Sequence, residues 1–179
     1  MAQDCPIQLV ILRHTLESKR NSNTGRLVAA ALAGTRLMEY GSPTEPWDAS
    51  PLQQADTWLL YPKPGAKVPP TLPKQLVVLD GSWSQARRMS QRIPELWKMP
   101  TLALPPPATP LPRLRTGQGL QQMSTAESVV SALRLLGQDQ PADHLETLLR
   151  ELVRRFALPQ RRGVQEPKIP ADLARHCAN

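Results

Sequence analysis

Three stretches of this sequence gather residues able to do chemistry. The first, "LDGSWSQARRM" at 79–89, puts a carboxylate (Asp80), a hydroxyl (Ser82) and an indole (Trp83) directly behind the apolar run "QLVV". A carboxylate at a strand end can accept a proton, or hold an ammonium or a ribose hydroxyl. Trp83 can stack on a base without regard to its identity. Asp-Gly is also plain turn chemistry, with Ser82 or Ser84 capping the helix that follows. Arg87 and Arg88 lie farther along that helix, where at least one must face solvent.

The second stretch, "LRHTLESKRNSNTGRL" at 12–27, sets Arg13, His14, Glu17, Asn23, Thr24 and Arg26 between a strand-like run and a helix-like one. Asn23 or Thr24 suits the helix cap. Capping does not account for His14, Glu17 and Arg26. The third, "LPRLRTGQGLQQMSTAES" at 111–128, offers Arg113 and Arg115 to a phosphate or a carboxylate. Ser124 opens a helix whose free N–H groups suit the same ligands, and Glu127 is placed to complete a capping box. These residues describe an anion-binding site open to nucleic acid. They do not specify a reaction.

The charge agrees. The chain carries a net +7 over 179 residues, and its isoelectric point is near 10.0. Nine lysines and arginines face only Asp80 and Glu95 between residues 61 and 120, so the middle third alone equals that excess. An anionic partner is expected. Cys5 and Cys177 are the only cysteines, and no metal-ligand spacing occurs. "IQLVIL" does not make a secretory leader, and "LVAAALAG" is far too short to span a bilayer, so a cytoplasmic protein with no membrane partner is expected. Neither GxGxxG nor GxxxxGK[ST] is present.

The elements that must position these residues read as strands over 7–12, 35–40, 57–62, 75–80 and 101–104. Helices are predicted over 23–34, 82–92 and 124–137. A last helix has Leu145, Leu148, Leu149, Leu152, Val153 and Phe156 on one face. The alternation predicts an α/β fold: a mostly parallel sheet with helices on both faces. One domain is expected over 1–158, followed by a basic, loose tail over 159–179. With four Trp, two Tyr and one Phe, the core must be aliphatic. The proline-rich segments 61–74 and 99–117 read either as stiff linkers or as a rigid basic rim. In a parallel sheet both would bring their bases to one end.

"ILRHTLESKRNSNTGRL", "LLYP", "VVLDGSWSQARRM", "LPRLRTG" and "STAESVVSAL" occur in that order. Together they resemble the DTW-domain family, named for an Asp-x-Thr-Trp motif. The resemblance runs from about Ile7 to the final helix. The motif falls on Asp80, Ser82 and Trp83, with serine in place of threonine, and the letters "DTW" at 56–58 are a coincidence. Many relatives carry a cysteine-rich zinc segment before the first strand. Here only "DCP" remains, and no zinc is expected.

The resemblance implies a fold akin to the knotted SPOUT methyltransferases. It implies transfer of the 3-amino-3-carboxypropyl group from S-adenosylmethionine to a uridine in tRNA. Asp80, Ser82 and Trp83 would be catalytic. The cofactor would meet Leu60, Tyr61 and Pro62, then Asp80, Gly81, Ser82 and Trp83, then Ser124, Thr125, Ala126 and Glu127, with Arg115. The RNA would meet Arg13, His14, Glu17, Asn23, Thr24 and Arg26, together with Arg87, Arg88 and Arg113. Asp80 could be the base for uridine N3 or the ligand of the cofactor's amino group. Arg113 and Arg115 divide between carboxylate and phosphate in a way the residues leave open. The rival readings are a methyltransferase using the same cofactor and a non-catalytic RNA-binding module.

Overall fold

The computed structural model describes residues 1–18, 23–42, 46–105 and 123–157. Among them, five apolar runs form strands: β1 (Gln8–His14), β2 (Arg36–Tyr40), β3 (Thr57–Leu60), β4 (Gln75–Asp80) and β5 (Thr101–Leu102). They build one parallel sheet in the order β2-β1-β4-β3-β5. The central strands read as continuous apolar runs rather than alternating ones because both faces of the sheet are covered.

Four helices supply the cover: α1 (Thr24–Ala31), α2 (Trp83–Arg92), α3 (Thr125–Leu135) and α4 (Asp139–Ala157). Leu9, Ile11, Leu76 and Val78 face α1, α3 and α4 through Val28, Val129, Leu133 and Leu149. Val10, Leu12, Val77 and Leu79 face the opposite way, onto Ala86 and Met89 of α2 and onto Ile93 and Leu96 beyond it. The core is aliphatic as expected, with Trp58 its buried aromatic.

The helix ends follow local chemistry. Asn23 caps α1, accepting from the Arg26 N–H at 3.0 Å. Of the two candidate serines, Ser82 caps α2, and Gln85 returns a side-chain bond to the Ser82 N–H at 2.6 Å. Ser124 and Glu127 form the reciprocal box at the start of α3. Gly137, at φ 71°, ends α3. Its own N–H reaches Arg134 O and the next reaches Leu133 O, the paired bonds of a left-handed helix stop.

Several expectations change: the helix expected over 23–34 ends at Ala31 and the strand expected over 101–104 at Leu102. The strand expected over 57–62 ends at Leu60, although the Tyr61 N–H still bonds Leu102 O at 3.0 Å. The 61–74 loop does not gather its bases at one edge. Lys67 bonds Thr101 O through its N–H, and its ammonium lies 6.0 Å from the Trp58 ring. Lys74 O accepts from Gln8 N at the start of β1. The cause is topological: β3 and β4 are parallel neighbours, so the connection must travel back along the sheet. The path of residues 106–122, on which a knot would depend, lies outside the described residues, as does the 159–179 tail. No helix among the described residues is long and apolar enough to cross a membrane.

Adjacent strands β1 and β4 lead to opposite faces, β1 to α1 and β4 to α2. Such a divergence opens a crevice at the carboxyl edge of a sheet.

A charged clamp joins α3 to α4. Arg134 bonds Asp143 and Glu146, each at 2.7 Å, and Arg150 bonds Glu146 at 2.6 Å. Partial burial pushes the Glu146 carboxyl up, but its bonds to Arg134 and Arg150 outweigh this and hold it below its usual 4.5. A carboxyl lowered by folding stabilises the fold above its ordinary range, and that contribution fades as pH falls through the lowered value. Glu146→Gln should therefore lower the urea midpoint at neutral pH by an amount equivalent to at most about 1 kcal/mol. In a parallel titration of both proteins, the difference should shrink below pH 4.5.

Candidate functional site

Asp80 ends β4 and is 4% exposed. Strand alternation places it on the face of Leu76 and Val78, beneath α1 and α3. Thr125 Oγ1 donates to its Oδ1 at 2.6 Å, and Asn23 Nδ2 donates to its Oδ2 at 2.7 Å. A carboxylate oxygen has two acceptor sites, so each keeps one beyond these bonds. Asn23 is the cap of α1, and Thr125 is the first residue of α3. The helices are also tied directly, since the Ala126 N–H donates to Thr24 Oγ1 at 3.3 Å. Two helix N-termini thus converge on one buried carboxylate, each carrying the positive end of a helix dipole.

The last residue of "NTG" makes this approach possible. A Cβ on Gly25 would lie 2.5 Å from Asp80 Oδ2, 2.9 Å from its Cγ and 3.1 Å from Ile11 Cγ2. Sequence reasoning does not single out Gly25, though a glycine in the first turn of a helix is the available signal. Gly81, expected to admit a ligand, instead makes room for Gln85, whose Cβ would lie 3.0 Å from an added methyl.

Arg13 pairs in register with Asp80 on one side and with Glu39 on the other. It is 5% exposed and forms an ion pair with Glu39 through Nη2. Among the described residues, its Nε and Nη1 have no hydrogen-bond partner. Glu39 is the second residue that sequence reasoning passes over, hidden as the lone acid in "RLMEY". Glu17, also buried, sits in the turn behind β1.

The remaining candidates spread around this centre. His14 faces the α2 side and accepts from the Leu16 N–H at 3.3 Å. Arg26 donates to Ser18 O at 2.6 Å. Glu127 is buried and accepts from the Ser124 N–H at 2.7 Å. Leu60 is buried, Tyr61 packs against the α2-side core and Pro62 is exposed. Trp83 opens α2 and is 46% exposed, and both Arg87 and Arg88 are exposed. Arg113 and Arg115 lie outside the described residues. Asp56, the first letter of the coincidental "DTW", sits at the amino end of β3. There its carboxylate accepts from the Trp58 indole and from the Lys74 N–H, each at 3.3 Å. That is the edge of the sheet opposite Asp80.

The packing of Asp80 on Gly25 gives a direct test. Gly25→Ala should cost about 1–3 kcal/mol by overpacking. In an Asp80→Ala background the cost should be smaller, because most of the clash is with the carboxylate. Chemical denaturation of the four proteins in the cycle measures the coupling. Equal costs in both backgrounds would mean that Asp80 does not rest on the glycine.

No solved structure matches the chain. The family model of the DTW domain matches residues 1–157. It therefore covers the four α-helices and five strands of the described residues, with both helix N-termini that hold Asp80. The chain belongs to the DTW domain family, and this membership supports a tRNA-modifying function.

Proposed function

We propose that this protein transfers the 3-amino-3-carboxypropyl group of S-adenosylmethionine to N3 of a uridine in tRNA. The observation that carries the reading is Asp80, a buried carboxylate at the divergence of β1 and β4, held by the cap of α1 and the first residue of α3. When bound, S-adenosylmethionine supplies a γ-carbon made electrophilic by the adjacent sulfonium. In the transfer, uridine N3 would bond to that carbon as the carbon–sulfur bond breaks onto sulfur, which would release methylthioadenosine and pass the N3 proton to solvent.

The residues of this chain would divide the work by position. Asp80 is almost fully buried, and each of its oxygens accepts one hydrogen bond and keeps one acceptor site. This supports a role in holding a cationic part of the cofactor rather than in reaching a base on a large RNA. Ser82 is occupied as the α2 cap, so its contribution is to fix where Trp83 begins. The exposed indole of Trp83 suits a stacking platform for a base at the rim. Arg87, Arg88 and Arg92 continue along α2 as exposed cations, and Trp97, 58% exposed, with Lys98 extends the surface past its end. Cations interleaved with aromatic faces suit a nucleic acid backbone and its bases.

The product distinguishes this reading from methyl transfer. Mass spectrometry of tRNA incubated with the protein should show an added aminocarboxypropyl group, with methylthioadenosine released. An added methyl group with adenosylhomocysteine would replace this reading with a methyltransferase. Asp80→Ala should lower transfer by about a hundredfold or more, while tRNA binding largely persists. Normal turnover by that variant would remove Asp80 from the mechanism. Arg87→Ala and Arg88→Ala should weaken tRNA binding and flatten its salt dependence by about one unit for each phosphate no longer neutralised. An unchanged slope in both would place the RNA on another face.

A further inference from the structure

Arg13 and Asp80 are neighbours across β1 and β4, in register and on one face of the sheet. Adjacent strands lie only about 4.8 Å apart. The two charges nevertheless do not form an ion pair with each other among the described residues. Asp80 is held by Asn23 and Thr125, and Arg13 is held by Glu39. Arg13 is 5% exposed, yet its Nε and Nη1 donors have no acceptor among the described residues. Buried donors without acceptors cost folding free energy, so each such group calls for an explanation. Asp80 keeps acceptor capacity on both oxygens. The carboxyl edge therefore holds, side by side, a guanidinium with two free donors and a carboxylate with spare acceptor capacity.

We propose that these two residues form a clamp for a zwitterion, the α-amino-carboxylate end of the cofactor. Asp80 takes the ammonium, and the free N–H groups of Arg13 take the carboxylate. The proposal rests on the S-adenosylmethionine reading above and deepens it. Fixing the amino acid end at two points would hold the γ-carbon in place. Arg13 then acts in choosing which group is transferred, a role distinct from contact with RNA. Glu39 is the positioning residue that keeps the guanidinium in place.

The test is calorimetric and needs no turnover. The wild-type protein is titrated with S-adenosylmethionine, with its decarboxylated analogue and with its deaminated analogue. Each analogue should bind more weakly by about tenfold to a hundredfold, as expected when one charge-assisted hydrogen bond is missing. Arg13→Gln should erase the preference over the decarboxylated form and keep the preference over the deaminated one. Asp80→Asn should do the reverse. The double variant Arg13→Gln with Glu39→Gln leaves no unpaired carboxylate, and it should behave as Arg13→Gln does even if that single variant fails to fold. The clamp is overturned if the wild-type protein binds the decarboxylated analogue as tightly as S-adenosylmethionine, or if the arginine-free proteins keep their preference. If the wild-type protein binds S-adenosylmethionine with full discrimination but transfers a methyl group, the clamp stands and the transfer reading falls. A wild-type protein that binds none of the three compounds overturns the cofactor reading and the clamp together.

Discussion

A carboxylate buried at the end of a strand must be satisfied, and the way this protein satisfies Asp80 organises its carboxyl edge. Removing such a group from water is expensive unless hydrogen bonds replace the lost hydration. Here the replacements are Asn23 and Thr125, which belong to the first turns of α1 and α3. Satisfying one charge therefore sets where two helices begin. Gly25 follows from the same demand, because only a residue without a side chain lets α1 come down onto the carboxylate. The Thr24–Ala126 bond closes the arrangement by joining the helices to each other.

The two faces of the sheet then serve different purposes. On the α1 and α3 side, the charged groups Asp80 and Arg13 are buried, the first held by Asn23 and Thr125 and the second paired with Glu39. On the α2 side, the exposed residues include the cations Arg87, Arg88, Arg92 and Lys98 and the aromatics Trp83 and Trp97. A small ligand with its own charges suits the first environment, and a long polyanion suits the second. The division matches a protein that has to bring a small donor and a large acceptor to the same edge. The clamp and the transfer reading are separate in this respect, since one concerns the buried side and the other requires both.

Most elements are legible from local pattern. β4 is legible to the residue, and α2 and α3 to within two, because capping serines and a glycine stop mark their ends. Asp80 stands out because a carboxylate after "QLVV" breaks the apolar pattern. Its partners read as separate cap and anion-site candidates, since nothing local says that Asn23 and Thr125 meet a residue 57 and 45 positions away. Arg13 reads as a possible RNA contact, but its burial comes from β1 lying between two strands, which is a property of strand order. Glu39 and Gly25 have roles that exist only after the sheet and helices assemble. The return of Lys67 and Lys74 toward the amino edge is hidden for the same reason. Proline content marks a stiff segment and says nothing of where it leads.

The sheet order has a kinetic consequence. β1 pairs with β4 across a gap of 67 residues, from Gln8 to Gln75, and helices between and beyond them must dock before the carboxyl edge is complete. Parallel pairings of this range form slowly, because chain closure precedes the contacts that reward it. During synthesis, Asp80 leaves the ribosome well before Thr125. A chain halted between the two would present a strand-end charge with half its donors missing. The edge that gathers these buried charges is thus among the last parts of the protein to mature, and interrupted synthesis would leave a scaffold without it.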